Sequence, residues 1–168
     1  AIEASSAKDN VKAYAKDKLL ALCVNSTFVA EVKAQNDKAV SLDEIKKIDE
    51  EWAAAEEELP IQKEIMTNAC AQEVNKIVGE SSGVLGEVFV MDNQGANVGQ
   101  NELTSDYWQG DEPKWQNAYN GGKGGVDIAE ERLDKSSGTV DQKISLPIID
   151  ADGTVVGAIC FGVQVQKL

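Results

Sequence analysis

Apolar side chains recur at steps of three and four residues through the first third of the chain. The positions that form this stripe are Val11, Tyr14, Ala15, Leu19, Leu22 and Cys23. The spacing is that of one face of an α-helix, so it predicts a long first helix over residues 6–34. Asn25, Ser26 and Thr27 are residue types that cap helices, and at this point the helix is either interrupted or capped a second time.

Two more helices are predicted before residue 80. Ser41 and Glu44 have the spacing of a capping box, in which two side chains satisfy backbone groups at a helix start, and the helix that they open extends to about residue 58. Pro60 suits the first turn of a third helix, which continues to Gly79. The glycine distribution agrees, because all fourteen glycines lie at or beyond this position and helix interiors disfavour glycine.

The apolar period changes from that of a helix to that of a strand at Val84. Five strands are predicted, at residues 85–91, 96–100, 126–133, 140–149 and 154–165. Turn-forming Asp and Gly residues at 92–95 and 150–153 join neighbouring strands as hairpins. The whole chain, residues 1–168, is therefore predicted to be one α+β domain, with a helical part at residues 1–79 and an antiparallel sheet at residues 84–168.

Composition narrows the classes of function. At 168 residues and 18.0 kDa the chain has the length of one domain. Its formal charge of -13 argues against nucleic acid and anionic membrane surfaces as partners, because both attract clustered Lys and Arg. The absence of His removes the commonest general base and metal ligand, so we expect no enzyme, no metal and no cofactor.

Two features bear on the compartment in which the protein works. The chain starts at Ala1 without Met and has no apolar run as long as a membrane span, so we expect either a removed signal peptide or a piece of a larger protein. Cys23 and Cys70 fall in helical patterns, where they form a disulfide in an oxidising compartment or remain two free thiols. Cys160 belongs to an apolar strand and is expected to be buried.

Residues 104–119 contain four of the nine aromatic side chains of the chain. The aromatic and acidic residues of this segment are Tyr107, Trp108, Trp115 and Tyr119 with Asp106, Asp111 and Glu112. Aromatic walls beside a few polar groups suit a small-molecule pocket, and a pocket segment at residues 104–125 is predicted. The alternative is a short insertion whose aromatic rings cover the edge of the core.

Cations on two adjacent strands are candidates for binding an anionic ligand. Arg132, the only arginine, and Lys143 lie in neighbouring predicted strands and can bind a carboxylate by charge-assisted hydrogen bonds. The alternative for both is a cross-strand ion pair with Glu130 or Asp141 on a hydrated face.

The order of motifs along the chain resembles that of a known family. These motifs are residues 45–52, 87–92, Gly95, 104–112, 115–116, 134–137, 142–148, Gly153 and 156–158. The succession is similar to that of single Cache (PAS-like, PDC) extracytoplasmic sensor domains, and it spans nearly the whole chain. The resemblance implies a long N-terminal helix packed along a five-stranded antiparallel sheet, with a ligand pocket between the other sheet face and the aromatic segment.

The resemblance also implies a function and a set of site residues. Such domains sit on the periplasmic or extracellular side of bacterial chemoreceptors and sensor kinases, attached to the membrane by flanking segments, and bind amino acids, small carboxylates or amines without catalysis. The N-terminal helix normally pairs with its copy in a homodimer. The pocket residues implied here are Tyr107, Trp108, Asp111 and Trp115, followed by Asp106, Phe89, Met91, Arg132, Lys143 and Ser145.

Three alternatives to a receptor sensor remain. The chain can be a free-standing secreted or periplasmic binding protein, or a Cache-like module whose pocket is closed and which serves only dimerisation. An enzyme with paired carboxylates, such as Asp106 and Asp111, is the least favoured. Glu130 and Glu131 are poor candidates for acid and base, because adjacent residues of a strand point to opposite faces.

Overall fold

The computed structural model describes residues 1–134 and 138–168. Within these ranges the helices of the first half pack on one face of an antiparallel sheet formed by the second half, so the predicted α+β fold is confirmed. Residues 135–137, which belong to one of the family-like motifs, lie outside the described residues. None of the helices in the described ranges combines the length and the apolar character that a membrane span requires.

The helical half begins with a series of short segments rather than one regular helix. Its elements are a 3₁₀ turn (Ile2–Ala4), α1 (Asp9–Tyr14), a π-helical turn (Ala15–Leu19), a second 3₁₀ turn (Leu20–Val24), α2 (Ser26–Asp37), α3 (Leu42–Ala54), α4 (Pro60–Thr67) and α5 (Ala69–Glu80). The first helix ends before Asn25, whose Oδ1 accepts hydrogen bonds from the backbone N of Thr27 at 3.0 Å and of Phe28 at 3.2 Å. The expected second cap is therefore present.

The third predicted helix is two helices. Asn68 has an extended backbone, with ψ of 177°, and separates α4 from α5. Its Oδ1 caps α5 by accepting a hydrogen bond from the backbone N of Ala71 at 2.9 Å. Its Nδ2 donates to the backbone O of Val98 in the sheet at 2.7 Å. The prediction of one helix over this range was wrong because a tertiary hydrogen bond and a cap replace the helical bonds lost at this residue.

The described residues form six strands. They are β1 (Leu85–Met91), β2 (Asn97–Gln100), β3 (Asp127–Ile128), β4 (Arg132–Asp134), β5 (Thr139–Ile149) and β6 (Val155–Gln164). The spatial order is β2-β1-β6-β5-β3, and β4 also pairs with β5. The strand predicted at 126–133 is thus two short strands on the same edge of β5. Between β2 and β3 the chain forms a short helix, α6 (Pro113–Tyr119).

The main hydrophobic core lies between the helices and one face of the sheet. It includes Val11, Leu19, Phe28, Val32, Cys70 and Val74 from the helices and Val88, Val90, Ile144, Leu146, Ile159 and Phe161 from the strands. Cys23 and Cys70 are both buried in this core as free thiols, so the disulfide considered for this pair is not formed here. Burial raises the pKa of the Cys23 thiol to about 11.

The outer edge of β2 is covered by the following segment of the chain. Residues 104–109 run alongside it, where Trp108 forms a bridge with Ala96. The backbone N of Asn97 donates to the backbone O of Tyr107 at 3.0 Å. The aromatic segment therefore begins as a seventh, irregular partner of the sheet among the described residues.

Candidate functional site

The register of the strands aligns four side chains in a row on the sheet face opposite the main core. Gln100 of β2 pairs with Phe89 of β1, Phe89 with Cys160 of β6, and Cys160 with Ser145 of β5. Directly opposed residues of antiparallel strands project to the same face. The row therefore runs across four strands, with polar residues at its two ends and apolar or weakly polar ones between them.

α6 covers this row and completes the candidate site. A separate hydrophobic cluster contains Phe89, Met91, Ala158 and Cys160 of the sheet with Ala118 and Trp115 of α6. Together with Lys143 and Ser145 of β5, these residues are called the sheet-face site below. Four of the predicted pocket residues on strands and one on α6 are thus brought together; they are Phe89, Met91, Lys143, Ser145 and Trp115.

α6 is held in place by side-chain contacts. A seven-residue helix is too short to be stable alone in water. Trp115 Nε1 donates to the backbone O of Asp92 at 2.9 Å, which ties α6 to the turn after β1. Lys114 forms an ion pair with Glu112 at 2.8 Å, and its Nζ lies 5.4 Å from the centroid of the Phe89 ring. The cover of the sheet-face site therefore depends on a few tertiary contacts.

A half-buried cation stands at one side of the sheet-face site. Lys143 Nζ forms an ion pair with the carboxylate of Glu87 and lies 3.7 Å from Oδ2 of Asp141. Burial opposes the charge of Lys143, but Glu87, Cys160 and Asp141 together outweigh burial, so the pKa of Lys143 is raised. Burial raises the pKa of Asp141, although Lys143 opposes this shift. Lys143 is therefore a fixed positive charge already neutralised by the protein's own carboxylates.

Ser145 provides an unsatisfied polar group at the same site. Its Oγ is fully buried and has no hydrogen-bond partner of good geometry among residues 1–134 and 138–168. The Cys160 thiol, a weak hydrogen-bonding group, faces it across β5 and β6, and its interaction with Ser145 opposes the burial that raises the pKa of Cys160. A buried hydroxyl with only a weak partner costs free energy, so the position favours any ligand that can hydrogen-bond to it more strongly.

Buried amides gather at the other end of the row. Asn97 Nδ2 donates to Gln100 Oε1 at 3.0 Å and to Thr104 Oγ1 at 2.8 Å. In the described part of the chain, Asn97 Oδ1, Gln100 Nε2 and Gln109 Oε1 are buried without a hydrogen-bond partner. The sequence pattern does not predict these residues as part of a site. The alternation that placed Phe89 in a strand would also have placed Gln100 beside it, once the register of the β1–β2 hairpin was known.

Tyr107 and Trp108 lie away from the sheet-face site. Tyr107 packs in a third cluster with Trp52 of α3, their ring centroids 5.7 Å apart, and burial raises the pKa of its hydroxyl. Trp108 Nε1 donates to the backbone O of Gln94 at 2.8 Å. Asp49 Oδ1 accepts from the backbone N of both residues, at 2.8 and 2.9 Å. These two aromatic residues fasten the segment to α3 and the hairpin turn.

The remaining predicted site residues lie outside the sheet-face site. Asp106 accepts a hydrogen bond from Ser105 Oγ at 2.7 Å, and Asp111 is exposed. Arg132 is exposed on β4 directly opposite Asp141, which puts it on the same sheet face as Lys143 but at the solvent-exposed end. The structure therefore does not bring these three residues into the sheet-face site.

Asp92 is a buried junction that the sequence analysis treated only as part of a turn. Its Oδ1 accepts from the backbone N of Gln94 at 2.8 Å and of Ala96 at 3.0 Å. Its Oδ2 accepts from Gln35 Nε2 of α2 at 2.9 Å, and its backbone O accepts from Trp115. Burial raises the pKa of Asp92, and these hydrogen bonds oppose the shift. One residue thus joins α2, the hairpin and α6.

No protein-family model and no curated protein sequence matches this chain. Among solved structures, it is similar to the sensor domain of the histidine kinase DctB of V. cholerae, with 13% identity and a TM-score of 0.48 over 93% of this chain and 49% of that one. The ligand-binding domain of the Campylobacter jejuni chemoreceptor Tlp3 in complex with L-norvaline gives 14% identity and a TM-score of 0.43 over 84% and 57% of the two chains.

The sensor domain of E. coli DcuS is also similar, with 13% identity and a TM-score of 0.45 over 85% of this chain and 95% of that one. The similar structures are thus sensor and ligand-binding domains. The chain spans about half the length of the DctB and Tlp3 domains, 49% and 57%.

Proposed function

We propose that this chain is an extracytoplasmic ligand-binding domain of the Cache type, which takes a small carboxylate, amino acid or amine at the sheet-face site without catalysis. The observation that carries the proposal is the fully buried hydroxyl of Ser145, which faces the weakly hydrogen-bonding Cys160 thiol on the same sheet face as Lys143 and has no stronger partner in the described residues. A ligand carboxylate can accept a hydrogen bond from Ser145 Oγ and can pair with Lys143 when it displaces Glu87. The order of sequence motifs, which resembles that of single Cache domains, supports the same function.

The charges indicate how a carboxylate would enter. Glu87 is ion-paired with the Lys143 ammonium. A ligand carboxylate therefore displaces Glu87 from Lys143 and also accepts a hydrogen bond from Ser145 Oγ. Glu87 lies in β1 where the pairing with β6 changes register between Leu85 and Val88, and such irregularities re-aim side chains near binding sites. Phe89 and Trp115 provide apolar walls for the rest of the ligand.

α6 is the element that has to move. Ala118 and Cys160 are completely buried between α6 and the sheet, so ligand entry requires α6 to shift away from the strands. A ligand changes the population of the two arrangements only by binding them with different affinities. In a receptor, the movement of α6 would be transmitted through Asp92 to α2 and the N-terminal helical segment. We propose that this segment forms the interface of a homodimer.

The same packing favours a second candidate function. Because α6 closes directly on the strands, the chain can instead be a module without a ligand that serves only dimerisation. A secreted binding protein with the same site remains compatible with the first proposal, since it differs only in what the chain is attached to.

A thermal-shift screen of the purified domain against short mono- and dicarboxylates, amino acids and amines separates these functions. A ligand at a hundred times its Kd stabilises the fold by about 2.7 kcal/mol, which is a rise of roughly 5–10 °C for a chain of this size. The double variant Lys143→Met/Glu87→Gln should lose the shift, and it removes both partners of the Lys143–Glu87 ion pair at once, so Glu87 is not left as an unpaired carboxylate. Lys47→Met, on the exposed surface of α3, is the control that should keep it.

The single variant Glu87→Gln tests the role of Lys143 more directly than the double variant does. Without the competing carboxylate, Lys143 should bind anionic ligands several-fold more tightly. If neither the parent chain nor Glu87→Gln responds to any compound while both fold, the ligand-binding proposal is wrong and the closed module is favoured.

A further inference from the structure

A cavity lies on the helical side of the sheet, away from the sheet-face site. It has a volume of about 320 Å³ and opens between the N-terminal helical segment, the end of α5 and the start of β1. Leu19, Leu22, Ile77 and Leu85 form its apolar wall. The volume falls within the range of roughly 300–1,000 Å³ that is typical of small-molecule sites.

The cavity lies against an irregular part of the N-terminal segment. Residues Ala15–Leu19 form a π-helical turn and Leu20–Val24 a 3₁₀ turn. Single π turns inside α-helices are rare and occur frequently at functional sites. Ala15 and Leu19 fix this turn in the core, and Tyr14 and Lys18, one turn apart, both line the cavity.

The wall of the cavity that is formed by the end of α5 and the start of β1 is rigid. Ser81 Oγ donates to the backbone O of Val78 at 2.7 Å and accepts from the backbone N of Leu85 at 3.0 Å. These two bonds fix the turn between α5 and β1, so Glu80 at the end of α5 has a defined position. The cavity is therefore framed by one irregular wall and one fixed wall.

The polar groups of the two walls have opposite character. The Tyr14 hydroxyl and the Lys18 ammonium are donors on the N-terminal segment, and neither has a hydrogen-bond or ion-pair partner in the described residues. Glu80 is an unpaired carboxylate within the same residues, and it lies where the last carbonyl groups of α5 carry partial negative charge. Both charged residues line the cavity. An anion would be repelled by one wall and a cation by the other.

We propose that this cavity is a second ligand site, which takes a small zwitterion with an apolar body. The ligand carboxylate binds Lys18 and the Tyr14 hydroxyl, the ligand ammonium binds Glu80 and the end of α5, and the apolar body contacts Leu22 and Ile77. Occupation bridges the N-terminal segment and α5 across the π-helical turn. The site does not depend on the sheet-face site, from which the sheet itself separates it.

The test uses three probes that differ in one charged group each. L-leucine carries both charges, 3-methylbutylamine lacks the carboxylate, and 4-methylpentanoate lacks the ammonium. Calorimetric titration of the domain should give an affinity for L-leucine at least about threefold higher than for either single-charge probe. Lys18→Met and Glu80→Gln should each weaken L-leucine binding by roughly 3–10-fold. Both side chains are exposed, so these variants should fold normally.

Matched controls and mapping locate the site. Lys47→Met and Glu51→Gln change the same charges on the exposed surface of α3 and should leave L-leucine binding unchanged. Amide chemical-shift changes on adding L-leucine should concentrate at residues 14–22 and 77–85. Changes at residues 143–145 and 158–160 that vanish in Ser145→Ala would place the probe at the sheet-face site and overturn the second site, as would absence of binding or equal affinity for all three probes.

Discussion

At the scale of single residues, two buried hydroxyls show how differently the same chemical group can serve the fold. Thr104 Oγ1 donates to the backbone O of Asp106 at 2.8 Å and accepts from Asn97 Nδ2 at 2.8 Å. Ser145 Oγ, equally removed from water, makes no such bond within the described ranges. A satisfied hydroxyl contributes to stability and an unsatisfied one subtracts from it, which is why Ser145 points to a ligand and Thr104 to structure.

This contrast predicts opposite effects of two small substitutions. Thr104→Val should lower the free energy of unfolding by about 0.5–1.5 kcal/mol, because it removes the hydrogen bonds that Thr104 Oγ1 makes with the Asp106 carbonyl and with Asn97 Nδ2. Ser145→Ala should leave the stability of the free domain unchanged or raise it slightly, while removing the ligand-induced rise in Tm. Urea denaturation and thermal shift measure the two quantities separately. A loss of 2 kcal/mol or more in Ser145→Ala would show that the hydroxyl is structural.

At the scale of elements, the sequence predicts those helix and strand boundaries that neighbouring residues determine. Strand β1 was predicted at its observed bounds, because the alternation of residues 85–91 and the Asp-Asn-Gln-Gly turn are local signals. The break at Asn68 was missed, since it depends on a hydrogen bond to Val98, thirty residues away in the chain. Tyr107 and Trp115 look alike in sequence, as aromatic residues of the same polar segment. Only the tertiary fold places one against α3 and the other over the sheet.

The attachment of α6 can be tested with two tryptophans that make the same kind of bond. Trp115 and Trp108 each donate Nε1 to a backbone carbonyl of the 92–95 turn, at 2.9 and 2.8 Å. Trp115→Phe should loosen α6 and accelerate hydrogen exchange of its amides, because α6 is too short to persist alone. Trp108→Phe should leave exchange in α6 unchanged. Equal exchange in both variants would show that Trp115 does not hold the cover.

At the scale of the whole molecule, electrostatic repulsion opposes the compact state. The chain carries 29 acidic and 16 basic residues, and several of the ion pairs, such as Lys8 with Glu131, lie on exposed surface, where such pairs contribute little. Net charge of one sign destabilises a folded chain through self-repulsion. The net negative charge, rather than individual ion pairs, is therefore expected to determine how the stability of the domain changes with salt concentration.

This balance predicts that added salt stabilises the domain. Raising the NaCl concentration from 10 mM to about 150 mM shortens the screening length from roughly 30 Å to 8 Å. Tm should rise by about 2–4 °C for each kcal/mol of repulsion relieved. Choline chloride should give the same increase, which separates screening from binding of a particular cation. A falling Tm would mean that attractive ion pairs dominate.

The cover over the outer edge of β2 has a consequence for solubility at high protein concentration. An uncovered edge strand offers its free amides and carbonyls to any other extended chain, which is the first step of intermolecular β-pairing. Here residues 104–109 occupy that edge, and Asp49 of α3 holds the segment in position through Tyr107 and Trp108. One carboxylate on a helix thus helps to shield the sheet edge, and its loss is expected to favour pairing of this edge with other extended chains.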